Sequence, residues 1–109
     1  MSIELEKTIL RNILTNESFM RKVLPFVKTD YFDGVYRTLF SEVAKFVSKY
    51  NKLPTHEAFK IELDDVSLSE EMYTHAMDIL PDIFLKKDED EKWLVDTTEK
   101  WCQDRAVYI

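Results

Sequence analysis

Few side chains in this sequence stand where chemistry could be built from them. His56 and His75 are the only histidines. Neither has a cysteine or a second histidine at the close spacing that a zinc site needs, so each reads as a surface or half-buried helix residue. Asp88-Glu89-Asp90-Glu91 has the density of a calcium loop. The sixth position of such a loop needs glycine for its sharp turn, and here it is Trp93. The run reads better as the acidic N-terminus of a helix. Cys102 is the one cysteine, with no histidine at helical spacing to activate it, and its place beside Trp101 makes it a packed thiol. The carboxylates are numerous, 21 in all, yet none lies in an apolar setting that would tune a general acid.

Nucleotide chemistry fails on glycine. A phosphate-cradling loop needs several glycines ahead of a Lys-Ser/Thr pair, so that backbone N–H groups can approach the phosphates. The sequence has a single glycine, Gly34, followed by Val35. The dinucleotide fingerprint fails for the same reason. No catalytic, cofactor-binding or metal-binding residue is therefore assigned.

What remains is the chemistry of contact. Trp93, Trp101, Arg105 and Tyr108 lie in the last helical stretch. Large aromatics with arginine are the usual anchors of protein interfaces, so these four are the candidate partner contacts. The alternative is that both tryptophans sit on one buried stripe and pin the helix to the rest of the chain. Two basic clusters, Arg21, Lys22, Lys28 and Lys45, Lys49, Lys52, have aromatics nearby, as in single-strand binders. Phe40, Phe46 and Tyr50 fall on an apolar helical stripe, however, where core is the better reading.

These residues need helices to hold them. Leu5, Ile9, Leu10, Ile13 and Leu14 recur at helical spacing, with Ser2 as N-cap and Glu4 and Glu6 in the first turn, where the helix dipole favours them. Asn16 caps a short helix carrying Phe19, Met20, Val23 and Leu24, and Pro25 turns Leu24 away from helical backbone. Thr29 to Phe32 forms one turn anchored by two aromatics. The longest stripe, Val35, Tyr36, Leu39, Phe40, Val43, Phe46, Val47 and Tyr50, defines a helix over 35–50 between Gly34 and Asn51. Thr55 caps a helix reaching about Leu63. Ser67-Leu68-Ser69-Glu70 has capping-box spacing ahead of Met72, Tyr73, Ala76, Met77, Ile79 and Leu80. Pro81 ends or kinks that helix. A charged connector over 86–91 leads to a last helix starting near Asp90. No glycine, asparagine or proline closes it before Ile109, which reads as the pattern of a fragment of something longer.

The bulk numbers fit an all-α chain of five or six helices. There are 109 residues, enough for one core, with 45% hydrophobic and 33% charged. One glycine is too few for a protein made of hairpin turns. No apolar run is long enough to span a bilayer, the N-terminus lacks a signal-peptide pattern, and the lone cysteine suits a reducing compartment. The expected location is cytoplasmic. Net charge is −6, split unevenly: residues 1–60 hold ten Lys/Arg and seven Asp/Glu, residues 61–109 five and fourteen. An acidic chain is a poor autonomous DNA binder. The asymmetry reads as a solvated acidic face, or as a means for one copy's first half to pack on another's second half.

The motifs in order carry a resemblance. Glu6-x-x-Ile9-Leu10-x-x-Ile13-Leu14, Asn16-x-x-Phe19, Asp30-Tyr31-Phe32, Tyr36-Arg37-x-Leu39-Phe40 and Leu53-Pro54-Thr55 together resemble the N-terminal domain of DnaB-type replicative helicases. Trp93-Leu94-Val95, Thr98-Glu99-Lys100, Gln103 and Arg105-Ala106 look closer still to the replicative helicases of T-even-type bacteriophages. The resemblance implies a compact helical globule over 1–87 and, over 88–109, the first helix of a helical hairpin. It implies a collar on a hexameric ring, self-association, docking of primase with a helicase loader as a further candidate, and DNA contact only through the full assembly. ATP and magnesium would belong to the motor of the parent helicase. The chain departs from the pattern in three ways: Tyr36 stands where bacterial members carry histidine, and the second hairpin arm and the motor are absent. A stand-alone phage nucleic-acid-binding or regulatory protein is the competing expectation.

Overall fold

The computed structural model describes residues 3–108, and the side chains of 4–107. Ser2, the expected cap of the first helix, and Ile109 lie outside the described residues. Six α-helices follow in order: α1 (Ile3–Thr15), α2 (Glu17–Val23), α3 (Gly34–Tyr50), α4 (His56–Asp64), α5 (Glu70–Ile83) and α6 (Glu91–Tyr108). One 3-10 turn (Thr29–Tyr31) lies between α2 and α3, and there is no strand among the described residues. This is the all-α architecture that the glycine count and the periodicity imply.

Cap chemistry sets most of the boundaries. The side chains of Asn16 and Thr55 accept from the N–H groups of Phe19 (3.1 Å) and Ala58 (3.0 Å), opening α2 and α4. Asn51 ends α3 in the left-handed conformation, at φ 57°, which asparagine tolerates better than most residues. The cap of α5 differs from the expectation. Ser69, not Ser67, accepts from Met72 N–H at 3.1 Å, so the helix opens two residues later and Glu70 falls in its first turn. The prolines also act more mildly than expected. Leu24 keeps helical backbone (φ −54°, ψ −37°) despite preceding Pro25, and its N–H still bonds Met20 O. The helix stops because the chain turns there, closed by Phe26 and Val27 N–H donating to Val23 O. Pro81 is inside the last turn of α5, which ends at Ile83.

α1 is the central element. It packs against α2, α3 and α5, and Ile9, Leu10 and Ile13 are fully buried. Surrounded in this way, it also buries Glu6, Arg11 and Asn12, which must then find partners. Asn12 donates to Thr8 O at 2.9 Å. Arg11 donates to Asp82 O at 3.1 Å and pairs with the Asp82 carboxylate at 3.2 Å, fastening α1 to the end of α5. Lys7 joins the same carboxylate, and its hydrogen bond is the main reason that the Asp82 carboxyl is held below the usual range. On α3 the buried strip is narrower than the sequence stripe. Val35, Leu39, Phe40, Val43 and Val47 are buried, Phe46 is half-buried, and Tyr50 is exposed, with Lys49 over its ring. A core position for Phe46 and Tyr50 is thus corrected. They pair with each other (centroids 4.7 Å apart) at the margin of the core.

Candidate partner surface on the last helix

Asp90 opens α6: its carboxylate accepts from Trp93 N–H at 2.8 Å and its carbonyl from Leu94 N–H at 3.0 Å. The inward seam then follows helical periodicity. Leu94, Thr98, Trp101, Cys102 and Arg105 are buried. The seam packs on α2 and the 3-10 turn. Trp101 meets Phe32 (centroids 4.8 Å) and, edge-on, Tyr31 (6.0 Å), while Phe32 also stacks on Phe40 at 4.9 Å. Burial among these groups pushes the Cys102 thiol up to about 11, as befits a packed and unreactive cysteine.

The far end of the seam is ionic. Arg105 donates to Glu6 Oε2 at 2.9 Å and to Asp33 Oδ2 at 3.1 Å, and its guanidinium lies 5.5 Å from the Trp101 ring centre. The second Glu6 oxygen accepts from Asp33 N–H at 2.9 Å. One buried carboxylate therefore joins α1, the start of α3 and α6. Asp33 sits at the N-cap position of α3 but makes no side-chain capping bond. Its carboxylate serves Arg105 instead. At the near end, Glu91 accepts from Ser18 Oγ at 3.2 Å and pairs with Lys22, which holds the Glu91 carboxyl below its usual value.

The four candidate contact residues are thus placed differently. Trp93 is 49% exposed and Trp101 only 3%. The two do not share one stripe: eight residues at roughly 100° each leave them about 80° apart around the helix. Arg105 is buried against Glu6, with the exposed Asp33 as its second carboxylate, and the side chain of Tyr108 lies outside the described residues. Around Trp93 the outer face is polar, with Lys92–Asp96 (2.7 Å) and Lys100–Asp104 (3.4 Å) pairs. Val107, at 80% exposure, and a shallow groove lined by Phe26, Tyr31, Glu99, Cys102, Gln103 and Ala106 mark the other end.

Sequence reasoning missed Glu6 and Asp33. Glu6 reads as a helix-dipole residue in the first turn of α1, yet it is 3% exposed and binds two partners. Asp33 carries no periodic signal at all. Three residues of the basic clusters have partners within the chain. Arg21 is held by Asn51 (2.9 and 2.7 Å) and Glu17, Lys22 by Glu91, and Lys45 by Glu42. His75 is exposed, and His56 is half-buried and stacked on Phe84 at 4.8 Å. Among the described residues no group of three His, Cys, Asp or Glu could hold a metal, and no helix is long and apolar enough to cross a membrane.

No family model matches the chain. It is 28% identical over 101 residues to a protein of Enterobacteria phage T4 described as a DnaB-like replicative helicase. The match spans 92% of this chain but only 21% of that relative. From α1 through α6, this all-helical chain is similar to about a fifth of a phage DnaB-like replicative helicase, as expected of an N-terminal domain of that kind.

Proposed function

We propose that this chain is the N-terminal collar domain of a phage replicative DNA helicase, serving ring assembly and the docking of primase or another replication protein. The observation that carries this reading is the similarity to the phage helicase across nearly the whole chain. The absence of a phosphate loop from the sequence supports it from the other side, since ATP hydrolysis and unwinding then fall to a separate motor. On this reading α6 is the first arm of a hairpin. Its buried seam, with Trp101 and Arg105, sets the helix on the globule, and its outer face offers Trp93 to a partner. DNA is met only through the assembled ring, and the working location is the host cytoplasm.

The test is made in the parent helicase. Trp93→Ala is expected to weaken co-elution of primase or the formation of hexamers, while ATP hydrolysis by the motor persists. Ring assembly and primase binding both unchanged, in the Trp93→Ala helicase and in a Trp93→Glu companion, would contradict the reading.

A further inference from the structure

We infer that α6 is a separately opening unit, latched onto the globule by ion pairs at its two ends. Its seam is poor in apolar contact for its length. Among the described side chains, α6 buries the apolar Leu94, Trp101 and Cys102 over 91–107, whereas the shorter α1 buries Ile9, Leu10, Ile13 and Leu14 over 4–15. The same seam encloses polar atoms with no hydrogen-bond partner: Thr98 Oγ1, Trp101 Nε1 and Arg105 Nε. Each lowers the gain from docking, because a buried donor or hydroxyl has given up its water. α6 packs on α2 and the 3-10 turn, while α1 is held by three helices.

The polar ties that fasten α6 lie at its ends. Glu91 meets Lys22 and Ser18 at the N-terminal end, and Arg105 meets Glu6 and Asp33 at the C-terminal end. The connector before it, from Leu85 to Asp90, is exposed throughout and lies outside any helix. A long helix with little apolar burial, unpartnered polar atoms beneath it and an exposed lead-in segment has the character of a low-stability folding unit. Its release leaves α1 to α5 and their shared core folded and uncovers the aromatic wall of Tyr31 and Phe32. The collar reading is not needed for this inference, and its failure would leave the latch standing.

Native-state hydrogen exchange on the whole chain is the test. Amides of residues 95–105 are expected to exchange together, through an opening that leaves the amides of α1 and α3 protected. Arg105→Gln strands Glu6 and should speed α6 exchange about tenfold or more, with α6 still exchanging well ahead of α1 and α3. Glu91→Gln, at an accessible site, should speed it by a few-fold, as should added salt. Thr98→Val should slow it, because the methyl replaces an unpartnered hydroxyl. Exchange of α6 only in step with α1 and α3, in the parent chain and in Glu91→Gln alike, would overturn the inference. So would faster α6 exchange in Thr98→Val.

Discussion

Arg105 Nη2 lies 2.9 Å from Glu6 Oε2, a contact that joins the two ends of the described chain across 99 residues. Both side chains are nearly buried, and Asp33 completes the arrangement from the start of α3. Breaking one partner of a buried pair leaves the other charged and unmatched. Arg105→Ala should therefore destabilise the chain by about 3–5 kcal/mol. Replacing both residues with leucine should recover most of that loss. Urea unfolding of the two variants and the parent checks the order.

The two tryptophans should behave oppositely. Trp101→Ala removes a ring packed on Tyr31 and Phe32 and should cost about 3–5 kcal/mol. Trp93→Ala removes a half-exposed ring and should change stability by no more than about 0.5 kcal/mol. Thermal melts of both variants separate a structural tryptophan from one free to meet a partner.

Asn51 tests the helix end. Its φ of 57° strains any residue with a Cβ, and alanine there should cost about 1–2 kcal/mol. Asn51→Gly should cost less than Asn51→Ala, because glycine removes the strain even though Arg21 loses the Oδ1 acceptor. Denaturant midpoints decide the order.

Cys102 gives a pH signature. Burial raises its thiol from 9.0 to about 11, so the folded chain keeps that proton where the unfolded chain has lost it. Its contribution to stability is present below pH 9 and is lost as pH rises from 9 through about 11. Cys102→Ala should flatten that part of the stability profile. Labelling of the native thiol at pH 8 should be much slower than labelling in denaturant.

How much of this the sequence carried depended on distance along the chain. The caps at Asn16 and Thr55 were legible because a cap is a contact over three residues, and the start near Asp90 was legible from the acidic run before it. Ser67 and Ser69 were harder to separate, since both precede a glutamate within the same few positions, and only the geometry chooses Ser69. Helical periodicity gave the core but overran it at Phe46, which is half-buried, and at Tyr50, which is exposed, at the margin of α3. The same periodicity put Trp93 and Trp101 together, although the small drift of each turn leaves them on different faces. Glu6, Asp33 and Arg105 meet only after three separate elements are in place, so no local pattern could announce them.

On the collar proposal, this domain serves assembly and leaves the chemistry to a motor. The proposal stands or falls on sedimentation of the proposed parent helicase with and without residues 1–109, with ATP hydrolysis measured on the same samples. Removal of the domain is expected to lower the hexamer fraction while hydrolysis by the motor remains measurable. An unchanged hexamer fraction, or ATP hydrolysis by the isolated 109-residue chain, would contradict it.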